Sequence, residues 1–534
     1  MPRIENQADG ISYLENKLPM ASAVTAGATG DSVRVGARKS INSFLAIFLP
    51  YSPQHNPQSI HPFFILTIMN KDQERDGHLN ASSQSQHPLR DDHFATRLVH
   101  VGSKADPTTK AIITPISLST TYSQSQAGVH SGFEYARSLN PNRLDLETVI
   151  ASIEGVNSLH APSPNSLPLP NALAFSSGSA ATATIINGLV GSGGHLIAMS
   201  DLYGGTHRYL NQVASNLGIS FTMLDLSSKD DSLQSFDQVT QRVKSAIQPN
   251  LTKLIWVETP TNPALKLVDI HHLSNLARDH QLILVVDNTF LSSFYQQPIL
   301  LGADVVIHSA TKYLNGHSDV VLGVVISPHQ HLIEKLRFLQ NAHGAVPSPF
   351  DCWLAQRGLK TLELRMLRHG TNALQVASWF QDVAIKSGWI NQVTYIGLTG
   401  SQIAWRQIPL ETREKLINMG YAPTQAGSQA PNRFPYGGMI SFRIRKANGD
   451  NSVLDTANRF LTNCRLFALA ESLGGIESLA SLPAKMTHAS LSAEAKAESG
   501  IDDGLIRLSV GIEDVRDLIK DLEQSLIKAS LAEI

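Results

Sequence analysis

The sequence has little cysteine and no long apolar run. Only two of its 534 residues are cysteines, Cys352 and Cys464, and they stand far apart. A disulfide framework or a CxxC metal knuckle needs more cysteines at closer spacing, so neither is expected. Free, buried thiols fit a reducing compartment. No stretch reaches the roughly 20 apolar residues that span a bilayer. We therefore expect a soluble, cytoplasmic protein without a membrane partner.

Charge is also scarce. Charged residues make up 16% of the chain, the formal net charge is -2 and the pI is about 6.9. Proteins that bind nucleic acid usually carry a basic patch, and no dense run of Lys or Arg occurs here. The 20 histidines show no spacing typical of metal ligands. The composition predicts no nucleic-acid partner and no metal site.

The chain is predicted to consist of four regions. Residues 1–92 are polar, with little periodicity, and are predicted to form a disordered leader. Residues 93–150 form a predicted N-terminal arm, 151–350 a large domain, and 351–534 a smaller C-terminal α+β domain with helices at 352–367, 371–387 and 512–529. The segments 157–171 and 399–436 are predicted to be surface loop insertions, because they are polar and contain many turn residues.

Short apolar runs alternate with helical stretches in the large domain. Strands are predicted at 172–175, 195–199, 253–257, 282–286, 305–308 and 320–326, and helices at 179–189, 206–217 and 269–279. Continuously apolar strands that alternate with helices indicate a mostly parallel sheet covered on both faces. The predicted fold class is therefore α/β. Ligands of such sheets bind at the carboxyl ends of the strands.

Two residues at predicted strand ends point to one cofactor. Asp287 directly follows an apolar strand, where a buried carboxylate needs a cationic or hydrogen-bonding partner. Lys312 follows the next strand, and partial burial of a lysine lowers its pKa and activates its amine as a nucleophile. Pyridoxal phosphate requires an acid for its pyridinium nitrogen and a lysine for a Schiff base.

Other strand ends add residues suited to the same cofactor. The run 176–181, SSGSAA, opens a helix and offers backbone amides to a phosphate. Tyr203 offers an aromatic ring for stacking and a hydroxyl for proton transfer, and Asn262 places an amide near the ring. Each motif alone has an ordinary interpretation as a turn, a helix cap or a surface residue. Their occurrence together at successive strand ends predicts a pyridoxal-phosphate site.

These motifs resemble those of the Cys/Met-metabolism family of pyridoxal-phosphate enzymes. The resemblance runs from about His93 to the C-terminus and rests on FEYARSLNPNR, AFSSGSAAT, DLYGGTHRY, ETPTNP, VVDNTF and SATKYLNGHSDVVLG, among others. It implies the aspartate-aminotransferase-like fold, which is type I of the PLP-dependent transferases, with pyridoxal 5'-phosphate bound by residues 151–350. It also implies a homo-oligomer, a dimer of dimers, in which the 93–150 arm reaches the site of a neighbouring subunit.

The resemblance also implies residue roles. Lys312 would form the Schiff base and move protons, Asp287 would pair with the pyridinium nitrogen, and Tyr203 would stack on the ring and assist catalysis. The implied phosphate ligands are Gly178, Ser179, Ser309 and Thr311, with Tyr135 and Arg137 of the neighbouring subunit. The implied substrate ligands are Arg507 and Ser472 for the α-carboxylate, and Glu134, Arg208 and Glu471 near the distal end.

The activity that the resemblance implies is α,γ-elimination of L-cystathionine to L-cysteine, 2-oxobutanoate and ammonia, a step of trans-sulfuration. Synthesis of cystathionine and its cleavage at Cβ use nearly the same residues and stay open as alternatives. Glu134 favours cleavage at Cγ over Cβ, and Gly205 stands where methionine-cleaving members usually carry Cys. A non-catalytic scaffold is the alternative of a different class, and the intact Lys312 and Asp287 argue against it.

Overall fold

The computed structural model describes residues 92–157, 159–160, 167–228, 230, 232–423, 430–489 and 492–531. The predicted leader therefore lies outside the described residues up to residue 91, as do 158 and 161–166 of one predicted insertion and 424–429 of the other. The α-helices are α1 Phe94–His100, α2 Pro141–Ile153, α3 Gly178–Ile185, α4 Gly204–Tyr209, α5 Leu233–Ala246, α6 Ile270–Asp279, α7 Ser292–Tyr295, α8 Gln330–His343, α9 Pro349–Leu359, α10 Leu362–Trp379, α11 Gln402–Gln407, α12 Leu410–Asn418, α13 Val453–Asn463, α14 Ala493–Glu498 and α15 Val515–Ser530. Within these ranges, none of the helices is long and apolar enough to cross a membrane.

A seven-stranded sheet forms the large domain. Its strands are β1 Ala172–Phe175, β2 His195–Met199, β3 Ser220–Leu224, β4 Thr252–Glu258, β5 Ile283–Asp287, β6 Val305–Ser309 and β7 Gly323–Ile326, in the order β1-β7-β6-β5-β4-β2-β3. Strand β7 is antiparallel to both of its neighbours, and the remaining pairs are parallel. The predicted mostly parallel α/β sheet is confirmed. Its central strands are continuously apolar because both of their faces are buried.

A five-stranded sheet forms the smaller domain. Its strands are β8 Ile390–Thr394, β9 Met439–Ile444, β10 Ala468–Leu469, β11 Leu479–Ser481 and β12 Leu505–Ser509, in the order β8-β9-β12-β11-β10. The pairs are antiparallel except for β10 with β11. Helices α10, α13 and α15 pack around this sheet, and the predicted smaller α+β domain is confirmed. The core continues from one sheet to the other.

The edge of the large sheet is closed by side chains. Strand β1 lies at the edge, so one row of its backbone groups has no neighbouring strand. Glu147 Oε1 accepts a hydrogen bond from the Ala174 amide at 2.9 Å, and Gln340 Nε2 donates to the Ala174 carbonyl at 2.6 Å. Arg337 donates to the Ala172 carbonyl at 3.1 Å. These bonds fix β1 just before the turn that opens α3.

The single helix predicted over 352–367 is wrong. Helix α9 ends at Leu359 and α10 begins at Leu362. A Cβ on Gly358 would lie only 2.2 Å from the Asn315 carbonyl oxygen, so the backbone turns here against a distant loop. Arg365 donates to the carbonyl oxygens of Gly358 at 2.9 Å and Leu314 at 3.1 Å. A long-range contact therefore breaks a helix that local periodicity favours.

The surface loop predicted at 399–436 is also wrong over its described part. It contains helices α11 and α12, and Trp405 packs against Phe434 with ring centroids 5.1 Å apart. Gln407 Oε1 accepts the Ile270 amide hydrogen at 2.8 Å, which caps α6 from this segment. The polar residues that suggested a loop form one face of short helices whose other face is buried.

Candidate active site

A cavity of about 410 Å³ opens at the carboxyl ends of the parallel strands. It brings together residues from both domains that are far apart in sequence. The predicted site residues that line it are Gly178, Ser179, Tyr203, Asn262, Asp287, Ser309, Thr311, Lys312, Glu471, Ser472 and Arg507. The strand ends therefore converge on one space that is large enough for a cofactor and a small substrate.

One end of the cavity has the features of a phosphate site. Ser177 caps α3, and its Oγ accepts a hydrogen bond from the Ala180 amide at 3.0 Å. The first amides of the helix then point toward the cavity, where they favour an anion. A Cβ on Gly178 would meet the Ser309 Cβ at 3.2 Å, so glycine allows the turn to approach β6. Ser309 itself is held by its amide, which donates to Thr289 Oγ1 at 2.9 Å.

Lys312 lies on a tight turn after β6. Its own amide donates to the Ser309 carbonyl at 3.1 Å, and the Gly316 amide donates to the Lys312 carbonyl at 2.7 Å. The Nζ atom donates to Ser472 Oγ at 2.7 Å. Burial, together with the positive charge of Arg507, lowers the pKa of Lys312 to about 8, against a smaller opposing effect of Glu471. The amine is therefore available as a nucleophile near neutral pH.

Arg507 lies on β12 and is almost fully buried. Its Nη1 donates to Asn262 Oδ1 at 2.9 Å and its Nη2 donates to the Ser472 carbonyl at 3.0 Å. Its Nε is buried without a hydrogen-bond partner among the described residues. Burial lowers its pKa to about 10, which leaves the guanidinium charged at neutral pH. A guanidinium that lines the cavity is suited to bind a carboxylate that enters it.

Two carboxyl groups close neighbouring strands on the cavity floor. Asp287 ends β5, its Oδ1 accepts the Thr289 amide hydrogen at 2.9 Å, and burial raises its pKa. Glu258 ends β4 and is the register partner of Asp287. Sequence reasoning missed Glu258 and Thr289 as site residues. Both stand within the motifs ETPTNP and VVDNTF, so their place at the strand ends was the available signal.

Tyr203 stands at the start of α4 with its side chain partly open to the cavity. Its amide donates to Glu258 Oε2 at 2.9 Å. The next residue, Gly204, packs so closely that a Cβ there would lie 2.3 Å from the Thr487 carbonyl oxygen. Thr487 also lines the cavity and is a further residue that the sequence did not reveal. The backbone of Tyr203 is thus fixed from both domains while its ring faces the cavity.

Four predicted site residues do not line this cavity. Arg208 is exposed on α4, and Glu134 pairs with His130 at 3.2 Å outside the cavity. Tyr135 is 45% exposed, and the Arg137 guanidinium lies 5.7 Å from its ring centroid. The predicted roles of Tyr135 and Arg137 concern a neighbouring subunit, so their position outside the cavity of their own chain is compatible with that prediction.

The segment that carries Tyr135 and Arg137 is held by a buried arginine. Arg143 Nη1 donates to the Ala136 carbonyl at 3.0 Å, and Nη2 donates to the Arg137 carbonyl at 3.2 Å. The Glu147 carboxylate lies 3.7 Å from Arg143 Nε and offsets its charge. Because the backbone is fixed in this way, the two side chains project from a defined position on the surface.

The residues in the cavity fit pyridoxal phosphate. The turn before α3 with Ser309 suits the phosphate, and Tyr203 offers a face for the ring. Asp287 suits the ring nitrogen, since a nearby cation favours the ionised form of a buried carboxyl group. Lys312 offers the amine with which this cofactor is held. The guanidinium of Arg507 lines the same cavity and suits the carboxylate of an amino acid.

Comparison with known proteins agrees with this chemistry. The family model described as Cys/Met metabolism PLP-dependent enzyme matches residues 95–407 and 423–527. The chain is 43% identical to a cystathionine gamma-lyase of Homo sapiens, over 85% of this chain and 97% of the human protein. It is also 43% identical to that of Saccharomyces cerevisiae, over 82% of this chain and 98% of the yeast protein.

Solved structures show the same similarity. The crystal structure of cystathionine gamma-lyase from yeast superposes with a TM-score of 0.67 at 41% identity, covering 83% of this chain and 99% of the yeast chain. A cystathionine gamma synthase from Xanthomonas oryzae pv. oryzae, solved in complex with cystathionine, has a TM-score of 0.68 at 34% identity and covers 82% of this chain and 99% of its own. The predicted type I fold is confirmed.

Proposed function

Because the chain belongs to the Cys/Met metabolism family of PLP-dependent enzymes, we propose that it cleaves L-cystathionine at the Cγ–S bond and, after hydrolysis by one water molecule, releases L-cysteine, 2-oxobutanoate and ammonia. One observation in the site supports this proposal. The amine of Lys312 and the guanidinium of Arg507 both bond to Ser472. A proton-transfer group and a carboxylate receptor therefore stand side by side, as cleavage of an amino acid requires.

Pyridoxal phosphate is the cofactor of this family, and the residues that we assign to hold it are those of the strand ends. Gly178, Ser179, Ser309 and Thr311 bind the phosphate, and Asp287 binds the ring nitrogen. The bound cofactor supplies a ring that takes up the electron pair left when a proton leaves Cα of the substrate.

The chain provides the groups that orient the substrate and move its protons. Arg507 binds the α-carboxylate through its buried guanidinium, and Asn262 fixes the plane of that group through the bond to Nη1. Lys312 Nζ then removes a proton from Cα, because its lowered pKa leaves a free amine near neutral pH. Ser472 keeps Nζ and the guanidinium in a fixed relation, so the Cα–H bond faces the base.

The distal half of the substrate needs a second set of groups. Cystathionine carries an ammonium group beyond the sulfur, and Glu471 lines the cavity as an acid suited to pair with it. Glu134 and Arg208 do not line the cavity of their own chain, so their assignment to the same end rests on the family resemblance alone. Loss of a proton from Cβ then leaves the electron pair that expels the sulfur from Cγ. The Tyr203 hydroxyl is assigned to donate a proton to this sulfur, because Tyr203 lines the same cavity as Lys312.

The assembly and the compartment are part of the same proposal. The active unit is a homo-oligomer, a dimer of dimers, in which Tyr135 and Arg137 complete the phosphate site of the partner. The support is the fixed backbone of this segment and its position outside the cavity of its own chain. The free cysteines Cys352 and Cys464 favour the cytoplasm.

Synthesis of cystathionine is the second candidate, since one similar solved structure is a cystathionine gamma synthase that holds cystathionine. Initial rates separate the two. A lyase consumes L-cystathionine as the only substrate, whereas a synthase turns over an O-acylated homoserine with cysteine far faster. A higher initial rate with the acylated homoserine and cysteine than with L-cystathionine would favour synthesis over cleavage.

A further inference from the structure

Two carboxyl groups stand side by side at the cavity floor, and only one has a role in the function proposed above. Glu258 and Asp287 are register partners at the ends of the adjacent parallel strands β4 and β5. Register partners in a parallel sheet point to the same face, and adjacent strands lie about 4.8 Å apart. Both side chains line the cavity. The cofactor offers one ring nitrogen, so the second acid needs another explanation.

The bonds of Glu258 show what it holds. Its Oε2 accepts the hydrogen of the Tyr203 amide at 2.9 Å, across from β4 to the start of α4. The Thr206 hydroxyl lies beside the same carboxyl group. Tyr203 and Thr206 lie at the two ends of the first turn of α4, which presents the Tyr203 ring to the cavity. Glu258 therefore fixes the backbone that positions this ring.

The charge state of Glu258 follows from its surroundings. The side chain is 6% exposed, and Oε1 is buried without a hydrogen-bond partner among the described residues. An ionised carboxylate with an unsatisfied buried oxygen is costly, and two adjacent carboxylates do not both ionise readily. Burial and the negative charges of Asp287 and Asp201 raise the pKa of Glu258, against the opposing effects of the hydrogen bonds from Tyr203 and Thr206. The cavity contains three other charged side chains, which come from segments that follow β5 in the sequence: Lys312, Glu471 and Arg507.

We propose that Glu258 is a positioning residue that acts as an uncharged acid. It holds the Tyr203 main chain at the cavity wall and leaves the negative charge at the strand ends to Asp287. The inference rests on the proposed cofactor site but not on the identity of the substrate. It explains why an acid, rather than an apolar residue, ends β4 at this place.

Three variants test the inference by cofactor binding rather than by turnover. Glu258→Gln keeps an uncharged acceptor for the Tyr203 amide. Glu258→Met keeps the approximate volume and removes the acceptor. Glu414→Gln replaces an exposed glutamate on α12 and serves as the matched control. The measurements are the dissociation constant of pyridoxal phosphate, the circular dichroism of its visible band and the pH midpoint of that band.

We expect Glu258→Gln to match the control within about threefold in affinity, with an unchanged pH midpoint. Glu258→Met should weaken the cofactor about tenfold, as expected for one lost buried hydrogen bond, and reduce the visible circular dichroism because the Tyr203 ring is no longer fixed.

Three results would overturn the inference. A shifted pH midpoint in Glu258→Gln, or a loss in that variant equal to the loss in Glu258→Met, would mean that Glu258 is charged. Normal binding by Glu258→Met would remove its positioning role. If Glu258→Met does not fold, as judged from thermal unfolding without cofactor, Glu258→Gln alone still decides the charge. A wild-type chain that binds no pyridoxal phosphate would instead refute the proposed function.

Discussion

The Nζ atom of Lys312 donates a hydrogen bond to Ser472 Oγ at 2.7 Å. The same Ser472 accepts a hydrogen bond from Arg507 through its main-chain carbonyl and has a positive φ of 93°. A non-glycine residue in this region is strained, and such strain persists where the surrounding structure fixes it. One residue of the smaller domain therefore sets the distance between the base on the large domain and the carboxylate receptor.

Two substitutions at Ser472 separate the effect of its hydroxyl on turnover from the effect of its positive φ on stability. We expect Ser472→Ala and Ser472→Gly each to lower turnover about tenfold, because both remove the acceptor that orients Lys312. The glycine variant should be the more stable of the two, since alanine is disfavoured at a positive φ. Steady-state kinetics measure the turnover, and urea unfolding measures the stability of the two variants. Normal turnover in either variant would show that the hydroxyl does not orient the base.

The pKa of Lys312 predicts a pH dependence for attachment of the cofactor. The folded chain lowers this pKa from 10.5 to about 8, so the free amine increases as the pH rises and becomes dominant above about 8. The rate of attachment to the cofactor-free protein should rise about tenfold per pH unit below that value and then level off. Stopped-flow absorbance measures it. A rate that still rises toward pH 10.5 would indicate an amine with an ordinary pKa.

Arg507→Lys tests the carboxylate receptor. A lysine has no rigid fork and cannot keep both the bond to Asn262 and the bond to the Ser472 carbonyl. We expect KM for the amino-acid substrate to rise about 100-fold, from the loss of charge-assisted hydrogen bonds. Cofactor affinity should stay within about threefold, because Arg507 does not hold the cofactor in this account. An unchanged KM with a lowered cofactor affinity would mean that Arg507 holds the cofactor and not the substrate carboxylate.

The assignment of Tyr135 and Arg137 to a partner's site predicts complementation between inactive subunits. One subunit carries Lys312→Ala, and the other carries Tyr135→Phe with Arg137→Ala. In a mixed dimer, one site receives both an intact lysine and an intact arm. Random assembly of equal amounts should therefore restore about one quarter of the wild-type activity. A mixture no more active than its separate components would place both residues in their own chain's site or outside any site.

Most of the site was predictable from the sequence because the chemistry sits at the ends of predictable strands. Asp287 and Lys312 each follow an apolar run, so their places could be assigned without tertiary information. Glu258 also follows an apolar run, but its pairing with Asp287 could not be predicted, because it depends on the register of two neighbouring strands. The break between α9 and α10 was missed for the same reason, since it depends on the contact of Gly358 with Asn315.

Incubation of the purified protein with L-cystathionine alone, followed by identification of the thiol and the keto acid, distinguishes cleavage at Cγ from cleavage at Cβ. We expect cysteine and 2-oxobutanoate in equal amounts, because the base, the carboxylate receptor and the acid at the distal end are assigned to cleavage at Cγ. Homocysteine with pyruvate would contradict it, since these products require cleavage at Cβ.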